Sequence, residues 1–302
     1  MSAPVSIATS SAPSRVGLVA GWGRYPIVVA EALKRQGASV YCLGVAGHAD
    51  PAIAQWCEDF TWIGLGRLGR AIRYFKRHGV SVATMAGKFH KVVLFQPWTW
   101  LRHLPDLRTL RAAIPHFLTR RKDCRDDSLL GMLVDEFASD GIHFGPATNY
   151  VPELLVKPGQ WTRCGPSAWQ WKDIRFGWTM AKELGRLDIG QSVAVKDQTV
   201  LAVEAIEGTD QCIRRAGSLC PAGGFTLVKV AKPQQDMRFD VPTVGLGTIQ
   251  TMVESGAKVL AIEAGRTIFL DQAASLELAN QHKLVIVAIE NPLSDVEPVT
   301  AT

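Results

Sequence analysis

The sequence predicts an α/β protein with a doubly wound parallel sheet in its N-terminal half. Three observations carry this. Short apolar runs ending in glycine alternate with stretches whose apolar residues recur at helical spacing. The alternation resumes after a Pro/Gly-rich break, so a second α/β domain follows. At 302 residues the chain is longer than one typical domain, and 47% hydrophobic with 20% charged residues is ordinary globular composition.

The opening, MSAPVSIATSSAPS (1–14), is small and polar and reads as a disordered tail without a secretory signal. RVGLVAG (15–21) is a first strand, followed by the turn GWGRYP and a helix from Ile27 to about Gln36, stopped by Gly37. ASVYCLGVAG is a second strand and TWIGLG a third. In RLGRAIRYFKRHG, Leu68, Ala71, Ile72 and Phe75 form one helical face, and Arg67, Arg70, Arg73, Lys76 and Arg77 a solvated basic one. VSVATMAG is a further strand. In the basic segment 88–122 prolines should break any long helix. DDSLLGMLVDEFASDG then reads as a helix with Asp126 and Asp127 at its positive end. These elements make a domain over 15–146.

Residues 147–166, with Pro152, Pro158, Gly159, Gly165 and Pro166, read as a linker. The domain at 167–302 begins with a helix at 167–184 and strands near 192–206. A helix from Thr209, the strand FTLVKVAK and a helix near 248–255 follow. The strands KVLAIEAG and RTIFLD, a helix at 272–282 and the strand LVIVAIE complete it.

No run of eighteen uncharged apolar residues occurs, so no membrane-spanning helix is expected. The six cysteines are scattered, with no CxxC pair. That argues for reduced thiols and a cytoplasmic home, and against a zinc site. The segment 88–122 carries eight Lys/Arg against Asp106 alone, more positive charge than the chain's net +5. Its LFQPWTWLRHLP pairs aromatics with cations, as membrane-interfacial segments do, while Trp98 and Trp100 in a core or subunit contact explain it equally. Nucleic acid is not an expected partner, because no recognised nucleic-acid-binding module surrounds the patch.

Three places could carry chemistry. The first is GWGRYP, where Gly21 and Gly23 would let the backbone approach an anion at a helix start. Pro26 stands where the dinucleotide fingerprint needs a small residue, which disfavours a nicotinamide cofactor. Nucleotide-sugar contact and a mere tight turn stay open. The second is VLAVEAIEGTD. Alternation puts Glu204 on the face of Ala202 and Ile206, Thr209 suits an N-cap, and Asp210 lies in the first helical turn. An acid inside an apolar strand is costly unless paired or functional. Arg214 and Arg215 follow as salt-bridge or phosphate partners. The third is KVAKPQQDMRFDVPTVGLGTIQ (229–250). If the chain is extended there, Asp236, Arg238 and Asp240 share one side, which suits a hydrated cation with phosphate oxygens. Local ion pairs in a polar loop explain it as well.

GRLDIGQSVAV, LAVEAIEGTDQCIRR, KPQQDMRFDVPTVG and IEAGRTIFLD together resemble the LpxI family, the UDP-2,3-diacylglucosamine pyrophosphatases of lipid A biosynthesis. GLVAGWGRYP, MAGK and DDSLLGMLVDEFASDGI resemble that family's first domain in the same order. The resemblance implies a Rossmann-like domain joined to a family-specific α/β domain. It implies hydrolysis to UMP and 2,3-diacylglucosamine 1-phosphate with a divalent metal, usually Mg²⁺, at the cytoplasmic face of the inner membrane. By the stretch RFDVPTVG, Asp240 is the residue important for catalysis. Asp210 is the second carboxylate expected at the metal. Asp188, Gln191, Glu207, Gly208, Thr209 and Thr243 are expected at the substrate, as are Gly21, Gly23, Gly87 and Lys88, although the family more often has asparagine at Lys88. Lys229, Lys232 and Arg214 would clamp phosphate oxygens. A homo-oligomer, a non-catalytic carrier of nucleotide-linked lipid and a membrane-surface adaptor are left open.

Overall fold

The computed structural model describes residues 13–88, 104–118, 126–238 and 241–292. Most of the expected tail, the greater part of the basic segment with Trp98 and Trp100, and Asp240 lie outside the described residues. Two compact units form, Met1–Pro152 and Glu153–Thr302.

The first unit runs β1 (Arg15–Ala20), α1 (Tyr25–Arg35), β2 (Ser39–Val45), β3 (Asp59–Ile63), α2 (Leu68–Arg77), β4 (Val82–Ala86), α3 (Leu107–Leu118), α4 (Asp126–Ser139) and β5 (His143–Pro146). The strands pair in parallel in the order β3-β2-β1-β4-β5. This is the doubly wound sheet that the alternation predicts. Gly17 lets Phe75 of α2 lie on β1, since a Cβ there would stand 2.9 Å from the ring.

Two elements of this unit differ from expectation. β5 is absent from the sequence reading, because four residues are too few to show an alternation and only pairing with β4 reveals it. The helix α3 spans twelve residues with Pro115 inside its bounds, where prolines were expected to break any long helix. Proline removes one backbone donor there and leaves the other rungs available.

The second unit runs β6 (Gly159–Gln160), α5 (Ala168–Arg186), β7 (Ser192–Lys196), β8 (Thr199–Val203), α6 (Thr209–Leu219), β9 (Thr226–Lys229), β10 (Thr243–Val244), α7 (Leu246–Glu254), β11 (Val259–Glu263), β12 (Ile268–Phe269), α8 (Gln272–Gln281) and β13 (Val285–Ile289). Its main sheet has the order β6-β13-β11-β9-β7-β8, and β10 pairs separately with β12. The centre, β9-β11-β13, is parallel, while β7 runs antiparallel to both β8 and β9.

Successive residues of the central strands feed opposite layers, as a period of two requires. Leu227, Leu260 and Ile286 join Ile213 and Met252 on one face, whereas Val228, Val259 and Val285 pack with Ile174 and Trp178 of α5 on the other. A capping box starts α5: Ser167 Oγ accepts from Gln170 N–H at 3.3 Å, and Gln170 Oε1 accepts from Ser167 N–H at 2.8 Å. Gly177 brings α5 close to the sheet, because a Cβ there would meet Val228 Cγ2 at 2.7 Å.

Gly177→Ala should therefore lower stability by about 1–2 kcal/mol in urea denaturation, from overpacking. Helix propensity alone would raise stability by about 1 kcal/mol, so a more stable variant contradicts the packing argument.

Candidate active site

The topology of the second unit collects its polar motifs. Strands β8, β9 and β11 all end at one edge of the main sheet, and β7 begins there. Lys229 closes β9, Glu263 closes β11, Glu204 follows β8, and 188–191 lead into β7. In open α/β sheets the space beyond the strand carboxyl ends is where ligands bind.

Lys229 is only 1% exposed and Glu204 8%. Lys229 Nζ donates to Thr209 Oγ1 at 2.7 Å, and the Thr209 hydroxyl donates to Glu204 Oε1 at 2.8 Å. One hydroxyl thus links an ammonium and a carboxylate, neither of which is tolerated in a protein interior without partners. Burial, with the Glu204 charge, pushes the Cys212 thiol one turn along up to about 12, so it stays protonated.

Two sequence expectations are corrected here. β8 stops at Val203, so Glu204 does not share a strand face with Ile206, which is 71% exposed. Gly190 lets its loop close on the chain just past β8, since a Cβ there would stand 2.0 Å from the Glu204 carbonyl oxygen. The cap of α6 is Gly208, at φ +83°, and Thr209 is the first helical residue. Its hydroxyl serves Glu204 and Lys229 instead of the helix donors. The first backbone N–H groups of α6 have no partner within the helix, and this helix start sits at the sheet edge.

Around that centre the charges pair. Asp188, at φ +58°, holds Lys232 with Oδ1–Nζ at 2.5 Å. Gln235 Oε1 accepts from Lys232 N–H at 2.8 Å. The Gln191 carbonyl accepts from Val230 N–H at 3.0 Å, and its buried side-chain Oε1 has no hydrogen-bond partner among the described residues. Glu207 meets Arg215 Nη2 at 2.7 Å. Arg214 turns to α7, with Nη2 3.5 Å from Thr251 Oγ1. Asp210 is half-buried and forms no ion pair among the described residues.

The loop after β9 is not extended through 236–238. Residues 237–238 form a turn, and Arg238 folds back on Asp236 with Nε–Oδ1 at 3.0 Å and Nη2–Oδ2 at 2.6 Å. Burial pulls the Asp236 carboxyl upward, yet the Arg238 hydrogen bonds hold it below the usual carboxylate range. Past Asp240 the chain is pinned by β10, where Thr243 pairs with Ile268 and the Thr243 hydroxyl donates to Val241 O at 2.9 Å.

Sequence reasoning missed Glu263. Its Oε2 accepts from Lys182 Nζ and from Ala231 N–H, both at 2.7 Å, so it fixes the start of the loop after β9. The signal was present, an acid closing the apolar run VLAIE, as Glu204 follows LAV.

In the first unit, Gly21, Gly87 and Lys88 come together at the ends of β1 and β4. Trp22 and Lys88 exchange backbone hydrogen bonds at 2.8 and 2.9 Å, and Gly21 N–H donates to Ala86 O at 2.8 Å. Gly87, at φ +96°, has no room for a side chain, since a Cβ would stand 2.8 Å from the Gly21 carbonyl carbon. Gly23, at φ +101°, turns the chain into α1. There Pro26 lacks a donor, and the N–H groups of Ile27 and Val28 go to Arg24 O.

Residues 15–154 match the LpxI N-terminal domain and residues 157–287 the LpxI C-terminal domain. The chain belongs to the LpxI family. The UDP-2,3-diacylglucosamine pyrophosphatase LpxI of Caulobacter vibrioides is 30% identical over 283 residues, covering 91% of this chain and 98% of that protein.

An LpxI reading brings a divalent metal into question, and the edge residues can be tested for it. Among the described residues no three His, Cys, Asp or Glu side chains cluster to hold an ion. A hydrated Mg²⁺ asks for less, one or two carboxylates with waters completing its shell. Asp210 fits that demand, because Asp188, Glu207, Asp236 and Glu263 are already engaged by cations.

Thr209→Val should destabilise the protein by about 1–3 kcal/mol in urea denaturation, because two buried charged groups lose their shared hydroxyl. Thr209→Ser should restore most of it. A valine variant as stable as wild type would show that the linkage holds nothing.

Proposed function

We propose that this chain hydrolyses the pyrophosphate bond of UDP-2,3-diacylglucosamine, releasing UMP and 2,3-diacylglucosamine 1-phosphate, with Mg²⁺ as its metal. The observation that carries this reading is the sheet edge of the second unit. There residues from three separate motifs gather: Lys229, Thr209 and Glu204 in one hydrogen-bonded chain, and Lys232 with Asp188 in an ion pair. The name of the Caulobacter vibrioides relative supplies the substrate.

A pyrophosphate carries two negative charges, so attack by water needs neutralisation first. Asp210 and Asp240 would hold the metal, which when bound polarises a phosphoryl oxygen and orients water. Lys232, held by Asp188, keeps its ammonium fixed and donates toward phosphate oxygens without reorganising. The α6 N-terminus, starting at Gly208, aims backbone N–H groups and the positive end of the helix at the same charge. Lys229 is buried too deeply to approach substrate freely and works by fixing Thr209 at that helix start. In the products, water's oxygen remains on one phosphorus and the bridging oxygen leaves with the other, while water's two protons pass to the new phosphate oxygens or to solvent.

The substrate bears two acyl chains. Among the described residues no helix is long and apolar enough to cross a membrane. On this reading the enzyme works in the cytoplasm and meets its substrate at the inner-membrane surface.

UMP release with Mg²⁺ is the direct assay. Asp240→Ala should lower the rate at least about a hundredfold, about 2.7 kcal/mol of barrier, with the fold intact by circular dichroism. EDTA should abolish turnover and Mg²⁺ restore it, and Mg²⁺ should raise the thermal midpoint of wild type more than that of the variant. Full activity in EDTA would remove the metal from the account.

A further inference from the structure

Helices α2 and α3 stand side by side on the first unit, joined at their starts by one carboxylate. Asp106 accepts from Arg70 N–H in α2 at 3.2 Å and from Thr109 N–H in α3 at 2.9 Å. The Thr109 hydroxyl donates to Gly66 O at 2.7 Å, just ahead of α2. Burial pulls the Asp106 carboxyl upward, but hydrogen bonds from Thr109 and Arg70 hold it below the usual range. The two helices therefore present a fixed pair of faces.

The neighbouring acids are engaged internally. Glu136 takes Arg108 with Oε2–Nε at 3.0 Å. Asp140 takes Arg108 Nη2, and Lys76 Nζ at 2.9 Å. What remains outward is positive: Arg67, Arg70, Arg73, Arg77 and Arg111 form no ion pair among the described residues, and α2 contains no acid. Between the helices lies an open groove of about 780 Å³, lined by Arg67, Arg73, Arg77, Pro105, Leu107 and Leu110. Leu107 is 86% exposed and Leu110 46%, with Leu104 nearby at 38%.

A solvated basic helix face accounts for the arginines but not for leucines standing in water beside them. Apolar side chains flanked by unpaired cations match the chemistry of an anionic bilayer surface, where leucines enter the acyl boundary and guanidiniums meet phosphates. An acidic protein or a nucleic acid would answer the charges and leave the leucines wet. A second copy related by a two-fold axis would set arginine against arginine. We infer that the α2–α3 face docks on an anionic phospholipid surface. The inference deepens the lipid-substrate reading and rests on it for its purpose.

The test is co-sedimentation of the full chain with phosphatidylcholine vesicles, with and without phosphatidylglycerol. Wild type should partition at least about tenfold more strongly onto the anionic vesicles, and raised salt should weaken this. The triple variant Arg70→Glu, Arg73→Glu, Arg77→Glu should lose at least about tenfold, as should Leu107→Ala with Leu110→Ala, whereas the triple lysine variant should retain binding. UMP release from detergent-dispersed substrate should be unchanged in all three variants. Equal binding to both vesicles, or undiminished binding by the triple glutamate variant, would overturn the inference. A change of assembly mass in that variant would assign the face to a second copy and overturn it too. Wild type that binds anionic vesicles in this pattern but releases no UMP would sink the hydrolase reading and leave the docking face standing.

Discussion

The second unit is organised around one buried ammonium. Lys229 closes a central strand at 1% exposure, where a lone cation is not tolerated. The charge is accommodated through the Thr209 hydroxyl and Glu204. That requirement ties β9, the turn after β8 and the first residue of α6 to one point. Gly190 must then be glycine, since the chain carrying Glu204 passes too close for a side chain. Gly208 must supply the helix start at positive φ because Thr209 is already committed. What faces the space beyond the sheet is a frame with the α6 start, the paired Lys232 and the carboxylate of Asp210, which forms no ion pair among the described residues.

Much of the fold was legible in the sequence because burial on both faces writes itself into short apolar runs, and helices into a 3.6-residue period. RVGLVAG, ASVYCLGVAG and LVIVAIE stand as strands in the structure within two or three residues of their expected ends. β5 was not legible, since His143–Pro146 carries too little pattern and owes its form to β4. The site was legible as a set of motifs but not as geometry. LAVEAIEGTD read as strand, cap and helix, which is locally consistent. In the folded chain the strand ends at Val203, the cap is Gly208, and the Thr209 hydroxyl goes to Glu204 and Lys229. Asp236 and Arg238 looked like an alternating row and form a closed pair instead.

On the proposed reading, the two units divide the demands of a charged lipid substrate. The second supplies positive helix start, cations and carboxylates, the requirements of phosphate chemistry. The first supplies a parallel sheet with a tight β1–α1 turn, and a cationic, leucine-bearing face on α2 and α3. That face depends on Asp106 binding both helix starts, so its geometry is set inside the unit and not by its partner.

The central claim is that the carboxyl edge of the second unit's sheet receives the pyrophosphate and its metal. Crystals grown with UMP and Mn²⁺, read by anomalous scattering from the manganese, test it most directly. The account predicts a peak against Asp210 and Asp240, with the UMP phosphate at the start of α6 beside Lys232. A peak at the β1–α1 turn near Gly21 and Gly23, with the α6 edge empty, would contradict it.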